Sequence, residues 1–272
     1  MSRILITGGS GTLGQEIVQQ LETTSNTVRI MSRKAAPPDV KIEWAQADLE
    51  TGEGITEALR DVDIIINSAS QALKANKVDI EGTRQMLAQA RSCGVKHIIH
   101  ISIVGIDRLS SYPYYQSKLE AEKVIMESGM PYSIARITQF HTLLDTFLSP
   151  LRKLPWTPLF SLPPTSLFQL IDPSEAAEYL MPFISEVPTG RIPDVGGPEV
   201  LALDEIAKLW LKAQNMWRPH FHLPIMLRET GEGLRHGYNT VPENKYGQIT
   251  WADYLETRYG HMQSAKEQDG TA

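Results

Sequence analysis

A glycine-rich loop lies between a short apolar run and an amphipathic segment near the start of the chain. Residues 3–7 are followed by Gly8, Gly11 and Gly14, and residues 12–21 place apolar side chains at helical spacing. This pattern is typical of a buried strand that enters a helix through a tight turn. Gly8 permits the turn, Gly11 lets a diphosphate approach the backbone, and Gly14 lets the helix pack closely on the sheet. Because the first N–H groups of a helix are unpaired and partly positive, we expect an anion site here.

The first half of the chain alternates apolar runs with amphipathic stretches. This order predicts an α/β fold with a Rossmann-type, doubly wound parallel sheet. The predicted strands are 3–7, 27–31, 41–45, 63–67, 96–102 and 132–136. The predicted helices are 12–21, 55–59, 78–92 and 114–128, followed later by 204–214 and 250–259. We expect a dinucleotide-binding core over 1–139, a smaller substrate-binding lobe over 140–262 that is interleaved with the core, and a frayed tail over 263–272.

Composition narrows the classes of partner. The net charge of −6 argues against a nucleic-acid surface, and the single cysteine, Cys93, excludes an intrachain disulfide. The sequence has neither an apolar run of membrane-spanning length nor room for a signal peptide before the first strand, so we expect a cytoplasmic protein. It would act on a small molecule as a monomer or homodimer, without nucleic acid or membrane. No metal site is expected, since His220 and His222 have no evident third ligand.

The ends of the next strands indicate which dinucleotide is bound. A cofactor without a 2′-phosphate usually meets an acidic residue at the end of the second strand, where this chain has Ser32, Arg33 and Lys34. A hydroxyl, a guanidinium and an ammonium suit a phosphate, so NADP(H) is favoured over NAD(H). The alternative is an ordinary solvated turn. Asp48, followed by Leu49, can approach the adenine or cap a helix. The small residues at the end of the fourth strand leave space for a ribose: Asn67, Ser68, Ala69 and Ser70.

A second group of residues suggests proton transfer. Tyr114 and Lys118 are four residues apart on one face of a predicted helix, and Ser102 ends the fifth strand. An ammonium close to a phenol lowers the phenol pKa, so Tyr114 could exchange a proton with a substrate oxygen while hydride moves to carbon. The Ser102 hydroxyl could hold that oxygen. The alternative is that Tyr114 and Lys118 only pack against their neighbours.

These motifs together resemble the short-chain dehydrogenase/reductase superfamily, and the stretches 102–107 and 132–140 resemble its atypical, NmrA-like NAD(P)H-binding branch. The resemblance implies an acid/base role for Tyr114, assisted by Ser102, with Lys118 on the nicotinamide ribose. It implies cofactor contacts from Thr7, Gly8, Gly9, Ser10, Gly11, Thr12, Leu13, Gly14, Ser32, Arg33, Lys34, Asp48, Leu49, Asn67, Ser68, Ala69, Lys118, Ile137 and Thr138. Substrate contacts are expected from Gln139, Phe140 and His141, and an apolar cleft wall from Trp156, Phe160 and Phe168.

One position departs from the family pattern. Members with the full catalytic set carry Asn where this chain has Asp79, and a carboxylate cannot donate the hydrogen bonds of an amide. Three functions therefore stay open. The first is an NADP(H)-dependent oxidoreductase acting on a small carbonyl or quinone-like substrate. The second is a non-catalytic NADP(H)-binding redox sensor, and the third is a nucleotide-sugar epimerase.

Overall fold

A computed structural model describes residues 1–152, 164–185, 187–216 and 228–269. The chain divides into two compact units. The first comprises Met1–Ile137 and Pro173–Asp194, and the second comprises Thr138–Asp172 and Val195–Ala272. The predicted boundary follows residue 139, whereas the first unit breaks at Ile137 and resumes at Pro173. Trp156, Phe160, His220 and His222 lie outside the described residues, so the expectations placed on them stay predictions.

The first unit is built on a parallel seven-stranded sheet. In chain order its strands are β1 (Arg3–Thr7), β2 (Thr27–Ser32), β3 (Glu43–Gln46), β4 (Ile64–Asn67), β5 (His97–Ile103), β6 (Tyr132–Ile137) and β8 (Gly190–Arg191). Two further strands, β7 (Leu167–Phe168) and β9 (Leu201–Ala202), form a separate pair in the second unit. The sheet order is β3-β2-β1-β4-β5-β6-β8. The order reverses between β1 and β4, as in a Rossmann-type doubly wound sheet, which confirms the predicted fold class. Sequence analysis missed β8 because a two-residue strand has no measurable periodicity.

Helices connect the strands in the predicted places. They are α1 (Thr12–Leu21), α2 (Ile55–Ala58), α3 (Thr83–Ser92), α4 (Pro113–Glu127), α5 (His141–Leu148), α6 (Pro173–Leu180), α7 (Leu203–Ala213), α8 (Arg228–Arg235) and α9 (Trp251–Asp269). The predicted helix 78–92 consists of two parts: a π-helical segment, Asn76–Gly82, is followed directly by the α-helix α3. Wide turns of this kind frequently occur at functional sites, and this one carries Asp79.

The core of the first unit surrounds the central strands. Ile4, Leu5 and Ile6 of β1 are completely buried, as expected for a parallel strand covered on both faces. The helices α1 and α6 pack against each other, although 154 residues separate the Gln20 side-chain amide from the Ser174 carbonyl to which it donates, at 2.9 Å. Residues 173–194 are therefore an integral part of the nucleotide-binding type of fold rather than an appendage.

The second unit contains α5, α7, α8, α9 and the antiparallel pair β7–β9. Its interior holds the carboxylate of Asp145, which accepts hydrogen bonds from Trp210, Tyr254 and Tyr259. Helix α9 continues through 263–269, where the sequence predicts a frayed tail, and residues 265–267 (Ala, Lys, Glu) are strong helix formers. Among the helices described, none has the length and apolar character needed to cross a membrane.

Candidate functional site

The glycine loop joins β1 to α1 in a conformation that only glycine accommodates easily. Gly8 has φ of +68°, and a Cβ atom there would lie 2.8 Å from the Ala69 backbone. A Cβ at Gly14 would lie 2.2 Å from the Gly8 carbonyl oxygen, so α1 begins in direct contact with the loop. Gly11 differs, since its Cβ would meet only the Gly8 oxygen, at 3.1 Å. The loop is thus closely packed behind Gly8 and Gly14 and open at Gly11.

The N-terminus of α1 leaves its backbone donors available. Gly11 occupies the N-cap position, no side chain caps the helix, and no acidic residue lies in its first turn. Unpaired N–H groups and the helix dipole therefore create a partly positive surface next to Gly11. The open side of the loop and this helix end together can accept a diphosphate.

A cavity of about 430 Å³ lies beside the loop. Its lining contains the residues Thr7, Gly8, Ser10, Gly11, Ser32, Arg33, Lys34, Asp48, Leu49, Ser68 and Ala69, all of them predicted as cofactor contacts. Ser70, one of the small residues expected beside a ribose, also lines the cavity. Sequence analysis missed four more lining residues, namely Met31, Ala47, Gln71 and Val78. The carboxyl ends of adjacent parallel strands meet at one sheet edge, which explains why these distant segments converge.

Basic side chains lie at one end of this cavity on a fixed turn. Gln46 donates to the Arg33 carbonyl at 3.1 Å, Trp44 Nε1 donates to the Lys34 carbonyl at 2.9 Å, and Ser32 Oγ accepts from the Lys34 amide at 3.2 Å. The side chains of Arg33 and Lys34 are exposed and form no ion pair within the described residues. Two positive charges therefore remain available to an anionic group in the cavity.

Asp48 lies on the cavity wall and also shapes a turn. Its Oδ1 accepts a hydrogen bond from the Glu50 amide at 2.8 Å. It does not cap α2, because the N-cap position of that helix is Gly54. The alternative interpretation of Asp48 as the N-cap of the next helix is therefore wrong. Asp48 lines the cavity, where it was expected to approach the adenine.

Other predicted cofactor contacts do not line this cavity. Gly9 belongs to the loop, and Thr12, Leu13 and Gly14 form the first turn of α1. Leu13 is buried and the two glycines have no side chain, whereas Thr12 is exposed with its hydroxyl. The Asn67 side chain is committed to buried partners: it accepts from Thr7 Oγ1 at 2.8 Å and donates to Thr83 and His100. Ile137 is a buried strand residue at the end of β6.

Residues 138–141, predicted near the nicotinamide and substrate, belong to the second unit. The Thr138 amide donates to the Val195 carbonyl, and Gln139 accepts from Asn239. Phe140 pairs with Ile171 through an isolated bridge. His141 is completely buried and stacks on Tyr254, and its expected contact with substrate stays a prediction.

The predicted catalytic residues form a different arrangement from the expected one. Tyr114 shares a hydrogen bond of 2.7 Å with Ser70, and Ser70 Oγ donates to Asp79 Oδ1, also at 2.7 Å. Lys118 Nζ donates to Asp79 Oδ1 at 3.4 Å and to the Ile101 carbonyl at 2.9 Å. The ammonium is thus paired with Asp79 rather than with the phenol.

This arrangement changes the electrostatics of the phenol. Burial raises the pKa of Tyr114 to about 12; the hydrogen bond with Ser70 opposes this shift and the charge of Asp79 adds to it. Burial also lowers the pKa of Lys118, although Asp79 opposes that shift. The expectation that Lys118 lowers the pKa of Tyr114 is therefore wrong, because Asp79 lies between the two groups in the hydrogen-bond chain.

Ser102 lies where β5 was predicted to end, and its buried hydroxyl has no hydrogen-bond partner among the described residues. His100, two residues earlier on the same face of β5, accepts from Asn67 at Nδ1, so its proton is on Nε2, which also has no partner in the described part of the chain. Burial, followed by the nearby Lys118 charge, holds the pKa of His100 well below its usual value. Ser102 therefore has unused hydrogen-bonding capacity, and His100 is a neutral imidazole beneath the site.

The fold and this site together define a Rossmann-type protein with a dinucleotide cavity. The chain belongs to the NAD(P)H-binding family, whose model matches residues 8–143, half of the sequence. This match confirms the predicted NAD(P)H-binding class.

Relatives and solved structures of several functions are similar to the chain. The photosystem II assembly factor Ycf39 of Trieres chinensis is 27% identical over 156 residues, which cover 54% of this chain and 49% of that protein. The chain thus spans about half the length of this curated relative. The NADPH-dependent quinone oxidoreductase QOR2 of Escherichia coli, solved with NADPH, has a TM-score of 0.74 at 18% identity and covers 94% of this chain and 99% of that one.

A further structure contains a different cofactor, NAD. MoeE5, solved with UDP-glucuronic acid and NAD, has a TM-score of 0.76 at 14% identity, covering 97% of this chain and 99% of that chain. At such identities the likeness establishes the fold alone. Proteins with this fold bind either NAD or NADPH, so the choice of cofactor depends on the residues of each chain.

Proposed function

We propose that this protein is an NADP(H)-dependent oxidoreductase that reduces a small carbonyl or quinone-like substrate. The observation that carries the proposal is the cavity beside the glycine loop, where Arg33 and Lys34 have no acidic partner among the described residues. A 2′-phosphate on the adenosine ribose would supply the missing negative charge. Arg is suited to this group because its guanidinium can bind two phosphate oxygens at once.

The remaining residues of the cavity fit the other parts of the cofactor. The backbone at Gly11 and the N-terminus of α1 would hold the diphosphate. Asp48 would accept a hydrogen bond from the adenine amino group, and the small residues Ser68 and Ala69 leave space for a ribose. When bound, the cofactor supplies the hydride for reduction.

The raised pKa of Tyr114 favours the reductive direction. A phenol with a pKa of about 12 stays protonated at neutral pH, so it can donate a proton to a substrate oxygen that becomes negative. The oxidative direction would require the phenolate, which this site disfavours. The unpartnered Ser102 hydroxyl could orient the substrate oxygen. The resemblance in fold to a quinone oxidoreductase supports a substrate of this kind.

Cofactor choice is tested by measuring the affinity of Arg33→Ala for NADPH and NADH by fluorescence titration. A lost charge-assisted hydrogen bond should weaken NADPH binding roughly 10- to 100-fold. NADH affinity should change little, since NADH has no 2′-phosphate. The matched control is Arg60→Ala, which removes an exposed arginine that pairs with Glu57 and does not line the cavity. Equal losses for both cofactors would refute the phosphate assignment.

Catalysis is tested with NADPH and a panel of carbonyl compounds and quinones. Tyr114→Phe should abolish turnover while leaving NADPH affinity largely unchanged. Tyr115→Phe, which removes the hydroxyl of the neighbouring tyrosine, should retain activity. Full activity of Tyr114→Phe would refute the acid role.

A non-catalytic redox sensor is the second candidate, and the Lys118–Asp79 pair favours it, because the ammonium is paired with a carboxylate and not with the phenol. A protein named as an assembly factor among the relatives points the same way. A sensor would bind NADPH and NADP⁺ with very different affinities, show no turnover across the panel, and be indifferent to Tyr114→Phe. A nucleotide-sugar epimerase, the third candidate, would instead retain tightly bound NAD through purification.

A further inference from the structure

We propose that Ser70 and Asp79 are positioning residues that fix the direction of the Tyr114 hydrogen bond and return a proton to Tyr114 after it has been transferred. The return of the proton rests on the proposed reductase function. The direction of the hydrogen bond does not, because it follows from the chain's own side chains.

The direction is set by the chemistry of three groups in contact. An ionised carboxylate only accepts hydrogen bonds, whereas a serine hydroxyl has a single proton to donate. Ser70 Oγ gives that proton to Asp79 Oδ1 at 2.7 Å. Tyr114, 2.7 Å from the same serine oxygen, must then be the donor in its own bond to Ser70. The phenol proton therefore points towards Ser70, and the neutral phenol is favoured over the phenolate.

Asp79 is held in its accepting position by two further contacts. Its side chain is completely buried, and Lys118 Nζ lies 3.4 Å from the same Oδ1 atom that accepts from Ser70. The Gln71 amide donates to the other oxygen, Oδ2, at 3.3 Å. The ammonium at Oδ1 and the backbone donor at Oδ2 together hold the carboxylate in place beside Ser70. The sequence Lys118–Asp79–Ser70–Tyr114 is thus one continuous hydrogen-bond chain.

Proton transfer along this chain is balanced at each atom. In the proposed reduction the carbonyl π bond breaks, the carbon gains hydride from NADPH, which is oxidised to NADP⁺, and the oxygen gains the Tyr114 proton. The phenolate then takes the proton of Ser70. Ser70 regains a proton from Lys118, which Asp79 passes on from the ammonium to the serine oxygen. Lys118 ends neutral and recovers its proton from solvent; its lowered pKa is compatible with that step.

Other charged groups around the phenol do not provide this direction. Tyr112 packs edge-on against Tyr114, and a neighbouring cavity of about 390 Å³ is lined by Tyr114 together with Glu50, Lys74 and Lys77. The two lysines are paired with Glu50. His100 is held neutral. Asp79 is thus the charge that reaches the phenol through a described hydrogen-bond chain.

The test is an ultraviolet titration of tyrosinate in the protein without cofactor or substrate, with Tyr114→Phe subtracted to isolate the Tyr114 signal. An amide at position 79 can donate to Ser70, which frees the Ser70 proton for the phenolate. Asp79→Asn should therefore raise the ionisation constant of Tyr114 about tenfold or more. In a Ser70→Ala background the same substitution should have much less effect.

An equal effect of Asp79→Asn in both backgrounds would overturn the proposal, because a charge acting through space does not need Ser70. Asp79→Asn leaves a buried ammonium unpaired, so a variant that fails to fold is replaced by Asp79→Asn/Lys118→Met. In that background Ser70→Ala should lower the ionisation constant of Tyr114, since it removes the donor to the phenolate. No change would again overturn the proposal.

Turnover separates this proposal from the proposed function. If the protein reduces a substrate, the pH profile of kcat for Asp79→Asn should shift in the same direction as the pKa of Tyr114 in the titration. The single variant Ser70→Thr keeps the hydroxyl and should therefore retain the wild-type profile. A positive titration result without turnover on any substrate would keep the hydrogen-bond direction and refute only the proton return.

Discussion

The substitution Gly14→Ala probes the close packing of α1 on the glycine loop. In an open helix, replacing Gly by Ala stabilises the helix by roughly 1 kcal/mol. At position 14 the new methyl carbon would lie 2.2 Å from the Gly8 carbonyl oxygen and 2.7 Å from Gly9 Cα. Both neighbours are backbone atoms, which no side-chain rotation can move. The loop or the helix must therefore shift.

The balance of the two effects gives the expected magnitude. Overpacking of a buried site costs about 1–3 kcal/mol, occasionally more, and contacts this short belong at the upper end. After the gain in helix propensity is subtracted, we expect a net loss of about 2 kcal/mol in the free energy of unfolding. The same shift would displace the Gly8–Gly11 backbone, so NADPH affinity should fall as well.

Urea unfolding followed by circular dichroism measures this loss, with Gly260→Ala as the matched control. Gly260 lies in α9, where a methyl group would meet Glu256 Cγ at an ordinary contact distance of 3.6 Å. The control should be as stable as the wild type or more stable, by up to roughly 1 kcal/mol. If Gly14→Ala were stabilised like the control, the described packing between α1 and the loop would be wrong.

Two further predictions concern buried ionisable groups in the first unit. The pKa of His100 is lower in the folded protein than its unfolded value near 6.5. Its full contribution to the free energy of unfolding is therefore present above that pH, and it should fall below that pH by up to about 1.4 kcal/mol per pH unit. Urea unfolding between pH 7.5 and 5.5 should show a smaller pH dependence of this free energy for His100→Asn, and an unchanged pH dependence would contradict the lowered pKa of His100. Glu122 binds the buried Arg136 guanidinium through both carboxylate oxygens, at 2.8 and 2.7 Å. Glu122→Leu should therefore lower the free energy of unfolding by about 3–5 kcal/mol, and Glu122→Leu/Arg136→Met should recover most of that loss. Urea unfolding measures both variants, and an additive loss in the double variant would refute this expectation.

Local sequence signals were sufficient for the framework of the cofactor cavity. The loop around Gly8 and the alternation of strands and helices depend on short-range patterns, and the carboxyl ends of parallel strands must share one edge. The convergence of Arg33 and Asp48 on that edge follows from the fold class alone. Such features can be predicted because each depends on residues close together in the sequence.

The side-chain partners could not be predicted in the same way. Asp79 and Lys118 are 39 residues apart, and their pairing depends on the π-helical segment that positions the carboxylate. The apolar pattern of that segment resembles the pattern of an ordinary α-helix. Ser70 read only as one of several small loop residues. The unusual carboxylate at position 79 was the one available signal that the proton chemistry differs here.

The contact between α1 and α6 has a consequence for synthesis on the ribosome. The hydrogen bond from Gln20 to Ser174 cannot form until residue 174 has been synthesised, and β8 completes the sheet only at residues 190–191. The amino-terminal half therefore emerges with an unfinished sheet edge and an uncovered helix, and long-range closure of this kind is slow. A nascent chain arrested before about residue 200 should be sensitive to proteases and dependent on chaperones, whereas one arrested after α6 and β8 have left the exit tunnel should resist digestion.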